Sequence, residues 1–357
     1  DLESIDLCFD YQGFPQDWNL METMQGKPEI SSKYLCLENQ TLAPMIMNVG
    51  TADGLFSSIT DITLPDTMTV IPFGLAEAKK EVEHDNGTIT WRIEDTGTGG
   101  ILYAGDYVRQ DIDAAGTSIQ FYYGRKHHPI MEEANAAEAI QTVMEYCSSH
   151  YGVPSFSSLD SLKLIQGRVA GGGYAVSGAS LMDEQDFTAQ NLHNSEKGGI
   201  PGEVMIHELV HQWWGLGAMF DVSQPDSAWS AEGLTVYTTY RIIKELYGEA
   251  YAKENYIDQW KTAVDDYYHN FYIRNPQYLE ALPEEKRLDI SNQLSNMRYY
   301  NEMPLKILKA EELVGGEEAM DLILYQLFNR DVDPMYPYLT EQEFLNACGL
   351  TEEDLNL

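Results

Sequence analysis

His207-Glu208-Leu209-Val210-His211-Gln212-Trp213-Trp214-Gly215 is the stretch around which the rest of the chain can be read. It contains HExxH. Two residues four apart on a helix differ by about 40° in azimuth, so His207 and His211 leave the same face. Two imidazoles so placed can bind one zinc ion, and Glu208, one residue on, lies beside the metal instead of on it. A zinc ion lowers the pKa of water to about 7 and polarises a carbonyl, so one helical turn would supply metal, nucleophile and base. The alternative is a helix with two surface histidines. Against it, Val204, Ile206, Leu209, Val210, Trp213 and Trp214 are apolar almost all round, which reads as a buried helix. Histidines and a glutamate inside such a helix need partners, and a metal provides them.

A catalytic zinc site wants three protein ligands and an open position. The longer HExxHxxGxxH pattern fails, because Trp214 and Gly217 stand where it needs Gly and His. Glu232, in Trp229-Ser230-Ala231-Glu232-Gly233-Leu234, is the better third ligand. Apolar spacing resumes after it through Tyr237, Tyr240, Ile242, Ile243 and Leu246, placing Glu232 in the first turn of a helix that faces the first. On position alone, a carboxylate favoured by the helix dipole is the better explanation of Glu232.

The two segments, HELVHQWWG and WSAEG, together resemble the gluzincin family of membrane alanyl aminopeptidases and leukotriene hydrolase. That family shows HExxH-x-W-(W/F)-G and then a zinc-binding Glu in a W-x-x-E-G context. Here Glu232 comes 21 positions after His211, two more than the family spacing, which reads as a two-residue loop insertion. Tyr300, 15 residues before Gly315, is placed like the family's catalytic tyrosine, with adjacent Tyr299 as the competing assignment. A phenol of pKa near 10 is a neutral donor at pH 7, suited to an oxyanion. The lysine usual two residues after that tyrosine is replaced by Glu302. Leu339 to Phe344 resembles the family's late helix start, and Thr340 to Glu343 reads as a capping box.

The resemblance implies a thermolysin-like zinc peptidase that acts on peptides and carries one Zn2+ per chain. It also implies that Gly172, Gly173, Tyr174 and Ala175 form a substrate-binding edge strand, at the place of the family's G-x-M-E-N segment. Ala175 stands where the family's amine-gripping Glu would be, so recognition of a free N-terminus is in doubt. Asp183, Glu184 and Asp186 are the nearby carboxylates that could substitute. An endopeptidase, or a catalytically weak zinc-binding module of a larger cell-surface or membrane protein, therefore remains beside the aminopeptidase reading.

Upstream, the first ~120 residues read as β-rich and sandwich-like. Asp85-Asn86-Gly87 ahead of Thr88-Ile89-Thr90-Trp91-Arg92-Ile93 is a hairpin signal, and Ser118 to Tyr123 alternates similarly. From Pro129 the spacing turns helical up to Gly152, Leu162 to Ile165 reads as a strand, and the chain is mostly helical from Glu203. The expected organisation is α+β: a β-rich domain over residues 1–122, then a mainly helical catalytic domain over 123–357.

The chain has 357 residues, enough for about two domains. Its 22 Lys and Arg against 57 Asp and Glu give a net charge of −35. Such a surface repels phosphate, which argues against nucleic acid as the partner. No apolar run is long enough to span a bilayer. The start at Asp1 reads as a mature or excised form, so a preceding anchor and the family's helical C-terminal domain are expected outside this chain. An extracellular or membrane-attached setting is favoured over a cytoplasmic one. Cys8, Cys36, Cys147 and Cys348 form no CxxC pair; free thiols or a Cys8–Cys36 disulfide both fit.

Overall fold

The computed structural model describes residues 8, 10, 12, 13, 29–37, 56–97, 101–153, 161–168, 172–189, 191–192, 204–219, 229–333 and 337–357. Its first part is a β-sandwich. Strands β1 (Glu29–Ile30), β2 (Tyr34–Leu37), β4 (Thr69–Phe73) and β7 (Ile101–Gly105) form one antiparallel sheet in the order β1-β2-β7-β4. Strands β3 (Phe56–Pro65), β5 (Ala78–His84) and β6 (Thr88–Gly97) form the other, in the order β3-β6-β5. The turn between β5 and β6 is the expected Asp85-Asn86-Gly87, with Gly87 at φ 76°. Leu35, Val70, Leu102 and Ala104 of the first sheet pack on Ile89, Trp91 and Ile93 of the second, closing the sandwich core.

A second sheet follows, built differently. Strands β8 (Tyr107–Ala114), β9 (Thr117–Gly124), β10 (Ser161–Gly167), β11 (Gly173–Val176) and β12 (Ala179–Asp183) lie in the order β11-β12-β10-β9-β8. β10 pairs in parallel with both β9 and β12, and helix α1 (Ala136–Tyr151) makes the crossover from β9 to β10. β10 is buried nearly throughout, as a parallel strand covered on both faces must be.

The boundary expected at 122/123 falls inside β9, which is hydrogen-bonded to β8 on one side and β10 on the other. Period-two alternation marks a strand but does not say which sheet it joins; the chain passes from the sandwich into this sheet at Asp106, a divide between sheets. Across that divide Tyr34, Ile71, Phe73 and Tyr103 pack against Tyr107, Tyr122, Ile165 and Leu181. The buried Lys163 of β10 reaches over it to donate to the carbonyls of Pro72, Gly74 and Ala76.

The remainder is helical. α2 (Val204–Val210), α3 (Glu232–Tyr247), α4 (Asp258–His269), α5 (Glu284–Met297), α6 (Met303–Val314), α7 (Glu317–Phe328) and α8 (Glu341–Cys348) surround a core centred on Trp213 and Trp214, both fully buried. Each indole N–H finds an acceptor: Trp213 the Gly152 carbonyl at 2.7 Å, Trp214 the Thr238 hydroxyl at 3.0 Å. α8 opens with the capping box read from Thr340 and Glu343. The architecture is therefore α+β, a β-rich first part followed by a helical domain. All four cysteines are free, Cys36 buried and Cys8 exposed. Among the described residues no helix is long and apolar enough to cross a membrane.

Candidate metal centre

α2 is short and lies against the second sheet with Met205, Ile206, Leu209 and Val210 fully buried. Burial of those four fixes the helix rotation and turns His207 and His211 toward the start of α3. Their Nε2 atoms stand 3.1 Å apart, with the rings nearly perpendicular at 87°. Glu232, the first residue of α3, brings Oε2 to 3.2 Å from His207 Nε2 and 3.5 Å from His211 Nε2. That oxygen is buried and makes no hydrogen bond of acceptable geometry.

This triangle tests whether a metal fits. Ligands held at 2.0–2.1 Å in a tetrahedral arrangement lie about 3.3–3.4 Å from one another. The observed 3.1, 3.2 and 3.5 Å bracket that spacing. Among the described residues, His207, His211 and Glu232 are the one group whose donor atoms converge in this way. His211 Nδ1 lies 3.0 Å from the Trp214 carbonyl, which can only accept, so Nδ1 carries the proton and the Nε2 lone pair faces the centre. The donor set of two imidazoles and one carboxylate is one that zinc takes.

The electrostatics match. Burial pulls the His211 imidazole down, but the Glu232 carboxylate more than offsets this and leaves it raised to about 9. Glu232 itself lies well below the usual carboxylate range: the two imidazoles overcome the burial that would raise it.

Glu208 is buried, and burial raises its carboxyl above the ordinary value despite the neighbouring imidazoles. It points toward the edge strand β11. A Cβ added at Gly173 would come within 2.4 Å of Glu208 Cγ and 2.6 Å of the Leu181 carbonyl oxygen, so only glycine lets the strand pass this close. Tyr300 sits on a single π-helical turn, residues 298–302, between α5 and α6. Its ring lies 6.1 Å from that of His207. Burial, then the Glu232 carboxylate, push the phenol above its ordinary value, so it stays a neutral donor. Tyr299 instead packs on the core.

These groups line a cleft of about 560 Å³. Gly172, Gly173, His207, Glu208 and Tyr300 border it, together with Asn255, Gln259, Trp260 and Asn301. Cavities of similar size lie at the junction between the sandwich and the second sheet and beside Leu357, away from the histidines.

Of the four expected edge-strand residues, Gly172 and Gly173 border the cleft, and Ala175 shares the strand face of Gly173. Tyr174 alternates to the other face, its ring 6.1 Å from that of Phe73 in the sandwich. The carboxylates weighed as substitutes for the missing glutamate are engaged elsewhere. Asp186 accepts from the Gly172 amide at 3.0 Å, Asp183 from the Gln185 amide at 2.7 Å, and Glu184 pairs with Lys126 at 2.9 Å.

Gln212 was not legible as a site residue. Its side chain accepts from the Gly178 amide at 3.0 Å and donates to the Val176 carbonyl at 2.9 Å, pinning the β11–β12 turn to the end of α2. The available signal was a polar residue flanked by buried apolar ones, which must be satisfied inside the core.

Residues 134–303 match the model described as Peptidase family M1 domain. Leucine aminopeptidase 2 of Emericella nidulans is 30% identical over 116 residues, 32% of this chain and 18% of that protein. Leukotriene A-4 hydrolase of Xenopus laevis is 29% identical over 115 residues, 32% of this chain and 18% of that protein. Probable aminopeptidase 1 of Sulfurisphaera tokodaii is 24% identical over 216 residues, 60% of this chain and 25% of that protein. The chain thus spans a quarter or less of these relatives' lengths. The crystal structure of M1 zinc metallopeptidase from Deinococcus radiodurans superposes with a TM-score of 0.51 at 17% identity, covering 85% of this chain and 63% of that one.

Proposed function

We propose, from the premise that residues 134–303 are a peptidase family M1 domain, that this chain is a zinc-dependent peptide hydrolase. The observation that carries the reading is the triangle of His207 Nε2, His211 Nε2 and Glu232 Oε2, with Glu208 and Tyr300 on the same cleft. One zinc ion held by His207, His211 and Glu232 would supply a Lewis acid for the substrate carbonyl and acidity to water near pH 7.

The chain's own groups do the rest. Glu208 as the carboxylate takes the proton of the attacking water, holds it the better because burial raises its carboxyl above the ordinary value, and passes it to the leaving amine. Tyr300 donates its hydroxyl proton in a hydrogen bond to the oxyanion as the carbonyl becomes tetrahedral. β11 is the edge of its sheet, so its free backbone groups can take an extended substrate by strand addition. The narrow passage at Gly173 lets that strand lie against Glu208.

The aminopeptidase names of the relatives support an exopeptidase. One feature favours a second reading. Ala175 offers no carboxylate to a substrate's free amine, Asp183 and Glu184 are taken up by the Gln185 amide and Lys126, and Asp186 is held by the amide of Gly172 at the cleft border. That composition suits a chain continuing past the scissile bond on the amino side, as in an endopeptidase.

Paired fluorogenic peptides with free and acetylated N-termini separate the two. The expected result is hydrolysis that a chelator abolishes and added zinc restores. Cleavage of free-amine peptides alone supports the aminopeptidase, cleavage of acetylated ones the endopeptidase. Hydrolysis that persists in chelator overturns the zinc mechanism.

A further inference from the structure

The turn that carries Tyr300 is held by an unusual set of contacts. Helix geometry breaks at residues 298–302, where the Met303 amide donates to the Arg298 carbonyl, five residues back. Asn301 adds a side-chain bond to this turn, its Nδ2 donating to the Met297 carbonyl at 3.0 Å. A second π-helical turn, residues 253–257, is built the same way: Asn255 donates its side-chain amide to the Tyr251 carbonyl at 2.9 Å. Both asparagines border the cleft.

At the end of the Tyr300 turn sits Glu302, 3% exposed. Its carboxylate gathers three partners. Arg298 Nε donates to Oε2 at 2.7 Å, the Tyr268 hydroxyl at the end of α4 donates to Oε1 at 2.6 Å, and Lys306 Nζ lies 3.4 Å from Oε1. The charge is therefore compensated from both sides of the π turn and tied to the neighbouring helix. The segment that follows cannot slide to accommodate a change. Met303, Leu305 and Ile307 are buried, and a Cβ at Gly233 would come within 2.9 Å of Met303 Cβ. If the turn relaxed to a regular α-helix, the residues before Met303 would have to move, each by about one residue's rotation of 100°. Tyr300 would then leave the cleft.

We propose that Glu302 is the positioning residue for Tyr300: by clamping Arg298, Lys306 and Tyr268 it holds the π turn that aims the Tyr300 hydroxyl at the metal centre. This assignment rests on the reading of Tyr300 as the oxyanion donor, and its test separates the two.

Hydrogen exchange is measured on metal-free native protein and on Glu302→Gln, which keeps the shape of the side chain and removes its charge. Amides of residues 298–303 in the variant should exchange about 10-fold faster or more, with those of α7 unchanged. The zinc-loaded forms of native, Glu302→Gln, Tyr300→Phe and the double variant are then assayed. Glu302→Gln should lower kcat by about 10- to 100-fold with KM and zinc content unchanged, and Glu302→Asp should recover part of it. In the Tyr300→Phe background the same change should cost nothing further, because the group being aimed is already gone. Native exchange at residues 298–303 in Glu302→Gln overturns the proposal, and so does a kcat loss that adds in full to that of Tyr300→Phe. If Tyr300→Phe is itself fully active while the turn exchanges faster, the oxyanion role fails and the hold of Glu302 on the turn stands.

Discussion

Glu208→Gln should bind zinc as the native protein does and lose about 100- to 10,000-fold in kcat, the range that general acid–base catalysis supplies. The substitution changes one atom in a buried side chain and leaves the amide unable to take a proton. Nothing else in the centre need move, because Glu208 contributes no donor atom to the converging triangle of His207, His211 and Glu232. Its surroundings are fixed by close packing: Gly173 lies against its Cγ, and Ser180 donates to its backbone carbonyl at 2.7 Å. Steady-state kinetics with parallel metal analysis checks this. Turnover at the native rate would remove Glu208 from the mechanism, and loss of zinc would make it part of the metal site.

Glu232→Ala should have the opposite signature. Removing an outer-shell partner of a metal ligand typically weakens binding by about 10- to 100-fold, and removing a ligand should exceed that. The His211 imidazole would also lose the carboxylate that offsets its desolvation, so it would fall from about 9. α3 should survive, because its buried face from Leu234 to Ile243 is untouched. The expected outcome is a folded protein, judged by circular dichroism, with zinc affinity reduced by more than 100-fold and hydrolysis lost at limiting metal. Undiminished affinity would mean that another group completes the ligand set, and that the 21-residue spacing from His211 to Glu232 marks a loop without a ligand at its end.

Much of this centre was legible because its chemistry is local. His207 and His211 share a face through helical period alone, and the apolar residues around them said that the face is internal. Glu232 and Tyr300 needed the family resemblance, since a carboxylate at a helix start and one of 23 tyrosines have ordinary explanations. The strands of the sandwich were readable from alternation and the Asn86-Gly87 turn.

What escaped the reading is long-range. The hairpin of β8 and β9 looks like the hairpins before it, yet its partner is β10, beyond a crossover helix. Tyr174 was grouped with its glycine neighbours, and only the strand's alternation against the fixed packing of Gly173 on Glu208 turns it toward Phe73. Gln212 is a buried polar group whose partner lies 34 residues away, so no spacing announces it; Glu302 has Arg298 and Lys306 at helical spacing, but its burial and its tie to Tyr268 on another helix are not written in that spacing. The π turn under Tyr300 likewise depends on tertiary contacts that override a regular helix.

The central claim, that His207, His211 and Glu232 form one zinc site, is tested most directly by calorimetric titration of the metal-free native protein with zinc. The account predicts saturation at one ion per chain, with a proton released to solvent as the metal takes its place on His211. No saturable binding, or binding of the same strength after replacement of His207 and His211 together by Ala, would contradict it.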